Sequence, residues 1–266
     1  MLVSSIIPLL ASADPARDDT WLNSLRHAYF GDRAIIETND VIELEAPERA
    51  EDPATVPVSI KAGFAQSAQR YIKTITLLID KNPVPLAGKF TFTPQSGRAD
   101  LALRIRINEY SPVRAIAETN DGQLYMSSRF VKASGGCSAP VGSDLEAALT
   151  RLGNIKLKSQ TSDSSGNALL TQLLVSHPNL TGMQMDQISR LYQPAYFVKK
   201  IKVTFDGSPV LTAETDISIS ENPSFRFYFV PDHEGELVAE VVDSKDLRFT
   251  SRQTITPASL LSAAQH

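Results

Sequence analysis

The chain has 266 residues, 42% hydrophobic and 21% charged, with a formal net charge of −4 and a single cysteine. That is ordinary globular composition, enough for one large or two small cores. The acidic balance, without a Lys/Arg block or basic–aromatic interleaving, gives no footing for nucleic acid; no apolar run is long enough to span a bilayer, and one cysteine excludes an internal disulfide and a multi-cysteine zinc site.

Residues 1–13 read MLVSSIIPLLASA, an apolar middle ending in the small-x-small pattern of a signal-peptidase site. This predicts an incomplete export signal and a periplasmic mature protein beginning near Asp14. Asp18-Asp19-Thr20 then offers N-cap chemistry, and Trp21, Leu22, Leu25 and Tyr29 fall at helical spacing before Gly31. The spacing predicts a short amphipathic helix packed on something larger.

From Ile35 the period changes to two. Residues 41–46, 56–60, 72–80 and 89–93 read as strands, and 101–107 alternates with Leu101, Leu103, Ile105 and Ile107 inward and Ala102, Arg104 and Arg106 outward. Asn120-Asp121-Gly122 is a hairpin signal, with the return strand over 124–131. Short strands at regular spacing with turns between them predict a β-sandwich over residues 14–139.

Residues 140–166 read as an interdomain linker: Ser143-Asp144-Leu145-Glu146 is a capping box, Leu145, Leu149 and Leu152 make a short amphipathic helix that Gly153 stops, and SQTSDSSGN follows. Beyond it, 169–175, 197–206, 210–219, 225–229 and 237–242 are again strand-like, broken at residues 177–182, Asp206-Gly207, Asn222-Pro223 and Glu234-Gly235. Phe225, Phe227 and Phe229 share one face. This predicts a second sandwich over 167–256 and a frayed tail over 257–266. The fold class is therefore all-β, two immunoglobulin-like sandwiches in tandem with short helices near the N-terminus and in the linker.

The only cysteine, Cys137, lies in Ser134-Gly135-Gly136-Cys137-Ser138-Ala139-Pro140, beyond the apolar run that ends at Val131. Nothing large flanks the sulfur, and two glycines free the backbone. The expectation is an exposed thiol on a flexible arm hinged at Gly135 and Gly136. The histidines, His27, His177, His233 and His266, are scattered, with no HExxH, and neither a GxSxG elbow nor a phosphate loop is present. No metal site and no cofactor is expected.

These stretches, in order, resemble two subunits of the thiosulfate-oxidising Sox system. Residues 46–51 with Val56-Pro57-Val58, Asn82-Pro83, Phe90, the Arg104/Arg106 strand, Asp121-Gly122 and residues 132–137 resemble the sulfur carrier SoxY; residues 177–182, Pro194 with Phe197, Asp206-Gly207, 219–223 and 237–243 resemble its partner SoxZ. The order is similar to fused SoxYZ-like carriers associated with quinoprotein dehydrogenases. The resemblance implies two packed immunoglobulin-like sandwiches in a bacterial periplasm and a non-catalytic carrier. Its cysteine, which maps onto Cys137, would hold sulfur intermediates on a swinging arm for separate enzymes. SoxY chains end at a GGCGG motif, whereas here a second domain follows, so the arm is tethered at both sides. Implied partners are periplasmic sulfur-oxidation enzymes or cytochromes c and a quinoprotein dehydrogenase.

Two other readings stand beside the carrier. One is a docking module for a quinoprotein (alcohol) dehydrogenase or cytochrome, with Cys137 incidental or forming a disulfide-linked dimer. The other is a cysteine enzyme, which needs His177 or His233 beside the sulfur. His177 lies in the family's recurring loop and is expected at the surface near the arm; Arg104 and Arg106, on an exposed face, offer attraction for an anionic cargo.

Overall fold

The computed structural model describes residues 20–140, 145–161, 168–186 and 189–256. The export-signal reading of 1–13, the Asp18-Asp19 cap, the Ser143-Asp144 half of the capping box and the tail 257–266 lie outside the described residues.

The first half contains a π-helical turn at Trp21–Leu25 that runs into helix α1 (Arg26–Phe30). Strands β1 (Ile35–Glu37), β2 (Ile42–Glu45), β3 (Val56–Ala62), β4 (Ile72–Ile79), β5 (Leu86–Phe92), β6 (Leu101–Ile105), β7 (Ser111–Thr119) and β8 (Leu124–Val131) follow. Helix α2 (Leu145–Thr150) leads into β9 (Ile155–Thr161), β10 (Leu169–Val175), β11 (Val198–Phe205), β12 (Ser208–Thr215), β13 (Ser224–Phe229), β14 (Gly235–Asp243) and β15 (Arg248–Ile255). The chain is all-β apart from these short helices. The stretch 140–166 contributes α2 and also β9, which pairs along its length with β10.

Two sheets stack face to face. Among the described residues, one holds nine strands in the order β1-β8-β7-β4-β5-β12-β11-β14-β15 and the other six in the order β2-β3-β6-β13-β10-β9. Each half supplies its own immunoglobulin-like sandwich, and the two are welded edge to edge. β5 pairs antiparallel with β12 from Phe92↔Leu211 to Gly88↔Thr215. β6 meets β13 only at Leu101↔Phe227 and Ala102↔Arg226, beyond which the strands splay; the end of β6 then bridges Ile219, in the segment before β13, through Ile105.

Period-two burial drives this packing. Val56, Val58 and Ile60 of β3 and Phe225, Phe227 and Phe229 of β13 point inward, with exposed or half-buried residues between them. One apolar cluster runs through both halves, and the rings of Phe90 and Phe225 meet across the join with centroids 6.1 Å apart. Burying such a ring contributes roughly 1.5–3 kcal/mol, so the halves share a core rather than merely touching.

The N-terminal helix packs on the outer face of the nine-stranded sheet through Trp21 and Leu25, against Leu78, Ile116, Leu124 and Met126. Leu22 and Tyr29, expected on the same stripe, are exposed; the π turn changes the angular spacing, which takes them off the buried face. Arg114, ion-paired with buried Asp80 at 2.8 Å, places its guanidinium 4.7 Å from the centre of the Trp21 ring. In α2 it is Ala148 that is buried, while Leu149 is exposed.

Candidate functional site: the seat of the Cys137 loop

After β8 the chain is tied down step by step. Lys132 donates its backbone N–H to Glu48 O at 2.8 Å, and Ala133 enters the core. Gly135 N–H donates to Asn108 O at 2.8 Å and Gly136 N–H to Ile107 O at 2.9 Å, and a turn closes from Ser138 N–H to Gly135 O at 3.2 Å. Gly135 has φ +83°, a conformation that favours glycine, and faces open space. Gly136 is wedged: a Cβ there would stand 2.1 Å from Pro53 O and 2.7 Å from Ile107 O.

Cys137 is fully buried, which overturns the expectation of an exposed thiol on a free arm. The small flanking residues are compatible with either outcome. They cannot cover the sulfur themselves, but they let the loop lie flat against the backbone of 53 and 107 while the second half closes over it. Burial pushes the thiol up to about 11, although the nearby Arg106 guanidinium pulls the other way.

Arg106 is also corrected. It was expected on an exposed face with Arg104, and only Arg104 is exposed; Arg106 is 1% exposed. The alternation ends with β6 at Ile105, because Arg106 N–H turns to Ser218 O at 2.8 Å in the second half. Its side chain then runs beneath the loop, where Nη1 donates to Gly136 O at 3.2 Å and Nη2 to Asn179 O at 3.5 Å. Burial lowers its pKa, opposed chiefly by the charge of Glu221. Asn82 braces this segment, donating to Arg106 O and Ser218 Oγ, both at 2.8 Å, and accepting from Asn108 N–H at 2.9 Å.

The second half supplies the other wall. Thr181 Oγ1 donates to Cys137 O at 2.6 Å, and Thr181 N–H donates to Gln184 Oε1 at 2.9 Å. Asn179, at φ 44°, donates Nδ2 to Ile219 O at 3.1 Å and accepts from Val198 N–H at 3.0 Å, so its carbonyl is held facing Arg106. His177, expected at the surface, is 1% exposed. Its position just after β10 turns the ring inward, against Tyr196 with centroids 4.6 Å apart. Nδ1 accepts from Asn179 N–H at 3.1 Å, so the proton sits on Nε2, which faces Asp243 Oδ2 at 3.7 Å. That oxygen accepts the Tyr196 hydroxyl at 2.8 Å. His233, the other candidate base, lies elsewhere, between Asp206 and Asp232. Neither histidine is hydrogen-bonded to the sulfur.

Burial lowers the His177 pKa to about 4, against the raising effect of Asp243. The unfolded chain therefore binds the proton more readily. The stabilisation is complete above the unfolded value near 6.5 and is lost as pH falls toward 4. The expected loss is at most about 3 kcal/mol. Urea unfolding across this window should show a smaller acid loss for His177→Gln than for the native chain; equal losses would mean that His177 is not the group responsible.

Among the described residues the buried side-chain nitrogens without a close hydrogen bond are Arg106 Nε, Gln184 Nε2 and His177 Nε2, the last of which still faces the Asp243 carboxylate. In the sequence, Asn82-Pro83 and residues 177–182 mark strand ends and carry part of the resemblance to SoxY and SoxZ, without indicating contact with the cysteine loop. Gln184 carries no sequence signal, and Thr181 only its place in the 177–182 stretch, because what singles it out is contact with a loop distant in sequence. Among the described residues no group of three or more His, Cys, Asp or Glu is placed to hold a metal ion, and no helix is long and apolar enough to cross a membrane.

Residues 26–137 match the family profile described as sulfur oxidation protein SoxY, ending on the cysteine itself, and residues 155–254 match that described as sulphur oxidation protein SoxZ. Among solved structures, the sulfur carrier protein SoxY from Chlorobium limicola f thiosulfatophilum is 26% identical, covering 43% of this chain and 93% of its own, with a TM-score of 0.36. A superoxide reductase (neelaredoxin) from Ignicoccus hospitalis is 21% identical over 35% of this chain and 79% of its own, with a TM-score of 0.32. A β-glycosidase from Bacteroides vulgatus is 11% identical over 82% of this chain and 25% of its own, at 0.25. No curated protein matches. With a SoxY half followed by a SoxZ half, the two profiles together spanning most of its length, the chain belongs to the SoxYZ-like sulfur carriers as a fused member.

Proposed function

We propose that the chain is a non-catalytic, periplasmic carrier that holds a sulfur-containing intermediate covalently on Cys137 and presents it to enzymes of sulfur-compound oxidation. One observation supports this beyond family membership: the buried Arg106 guanidinium, whose Nε has no hydrogen-bond partner, lies beneath the loop that carries Cys137 and acts on its thiol. A buried donor without an acceptor is costly, and an acceptor-rich group on the sulfur would offset that cost. In the closed seat the thiol is hidden and protonated, so loading and delivery take place with the loop lifted off Arg106 and Thr181. The seat protects and the lifted loop reacts, which divides labour between two positions of one loop.

The test is an intact mass of the exported protein, with and without reductant. A reductant-labile mass increase mapping to the peptide that contains Cys137, and absent from Cys137→Ser, is the expected result, and its size names the cargo. A uniformly unmodified Cys137 under sulfur-oxidising growth would refute the carrier and leave a docking module.

A further inference from the structure

The outer face of the six-stranded sheet carries a groove of about 670 Å³ where β6 and β13 splay at the join. It crosses β2, β3, β6, β13 and β10, four inter-strand spacings or about 19 Å. Its walls are apolar at Pro47, Pro57 and Leu174, and Arg104 and Arg226 rise from its floor. Arg226 stands opposite Ala102, and Arg104 follows two residues along β6 on the same face, across the opening of the seam, so one extended anionic segment can reach both. Arg104 Nη2 donates to Asn222 O at 3.3 Å, which partly fixes its direction.

Among the described residues, the charge left outside ion pairs around this groove is positive. Lys158 and Lys156 of edge strand β9 lie opposite Gln172 and Leu174 of the groove and are exposed. Among the described residues none of these four cations is in an ion pair, and the lining carboxylate, Glu45, is taken by Lys61 at 2.5 Å. A basic strip on a chain of net charge −4 is a local concentration against the overall sign, and such a strip steers an acidic partner into register.

Two groove residues adjoin, along the chain, the residues that tie down the Cys137 loop. Pro47 precedes Glu48, whose carbonyl takes the Lys132 N–H at the root of the loop, and Arg104 lies two residues before Arg106, which holds Gly136. We infer that this groove docks an extended acidic segment of the protein that exchanges cargo with Cys137, the carboxylates on Arg104 and Arg226 and alternate apolar side chains against the proline and leucine walls. About six extended residues fill its length. The inference rests on the carrier reading, since that reading supplies the partner.

The probe is an end-blocked peptide of seven residues alternating Asp or Glu with Leu or Val, titrated into the full-length chain while backbone amide resonances are followed. Shifts clustered on β6, β10 and β13, weakened at least about tenfold in the Arg104→Gln/Arg226→Gln double variant and by added salt, are expected. Three results would each overturn the docking: no clustered shifts, equal shifts with the Asn/Gln version of the peptide, or thiosulfate alone reproducing them, the last making the groove a small-oxyanion site. Cys137→Ser should bind the peptide as the native chain does. An unmodified Cys137 in the mass experiment therefore sinks the carrier while leaving peptide binding intact, and absent peptide binding sinks the groove while leaving loading of Cys137 intact.

Discussion

Gly136→Ala is expected to expose the Cys137 thiol and raise its alkylation rate about a hundredfold at neutral pH. The added Cβ meets two backbone oxygens, Pro53 O at 2.1 Å and Ile107 O at 2.7 Å, and neither can rotate away as a side chain would. The loop must lift, losing the Gly136 N–H bond to Ile107 O and the Arg106 bond to Gly136 O. A thiol released from about 11 toward its ordinary value near 9 gains about two powers of ten in thiolate, before any gain in access is counted. Iodoacetamide labelling followed by intact mass reads the rate, and circular dichroism reads the fold. Gly135→Ala is the control: that position faces open space, so it carries only the backbone strain of its positive φ, about 1 kcal/mol. A native labelling rate in Gly136→Ala would show that the wedge at 136 does not keep the loop closed.

The second large effect is at Arg106. Arg106→Met keeps much of the buried volume and removes the guanidinium, leaving Gly136 O and Asn179 O without it. Replacing a buried ionic group by an apolar one is sometimes neutral, but there both partners are replaced, whereas these carbonyls stay behind. The cost is expected at roughly 2–4 kcal/mol, read as a lower urea midpoint, together with faster alkylation because the loop has lost its contact beneath. Arg106→Lys retains the charge but cannot span two carbonyls with a planar fork, so it should fall between. Native stability and native labelling in Arg106→Met would remove Arg106 from the account of the seat.

Much of the fold was legible because burial on one face of a strand leaves a period-two trace. Phe225, Phe227 and Phe229 announce their strand, and Asn120-Asp121-Gly122 its hairpin. Pairing across the join was not legible. Lys89-Phe90-Thr91-Phe92 reads the same whether β5 is a free edge or bonded to β12, since side-chain alternation does not report which backbone lies alongside. Arg106 shows the limit of extrapolating a period: one hydrogen bond to Ser218 ends the strand and turns a residue expected in water into the buried centre of the site. Around Cys137 the inference from small neighbours to exposure failed because smallness also permits close approach, and local sequence does not decide between the two. The position of the candidate cysteine could thus be read from the chain, while its burial and its partners Thr181, Asn179 and Gln184 depend on contacts between residues far apart in sequence.

The β5–β12 ladder and the β6–β13 seam have a further consequence. The loop that carries the thiol is seated between Arg106 of the first half and Thr181 of the second, and one backbone joins the two halves. Their encounter is intramolecular, at the millimolar effective concentrations that short tethers provide, and does not weaken on dilution. Stoichiometry is locked at one thiol per seat, and neither half can trade partners with another copy without first breaking the sheets they share.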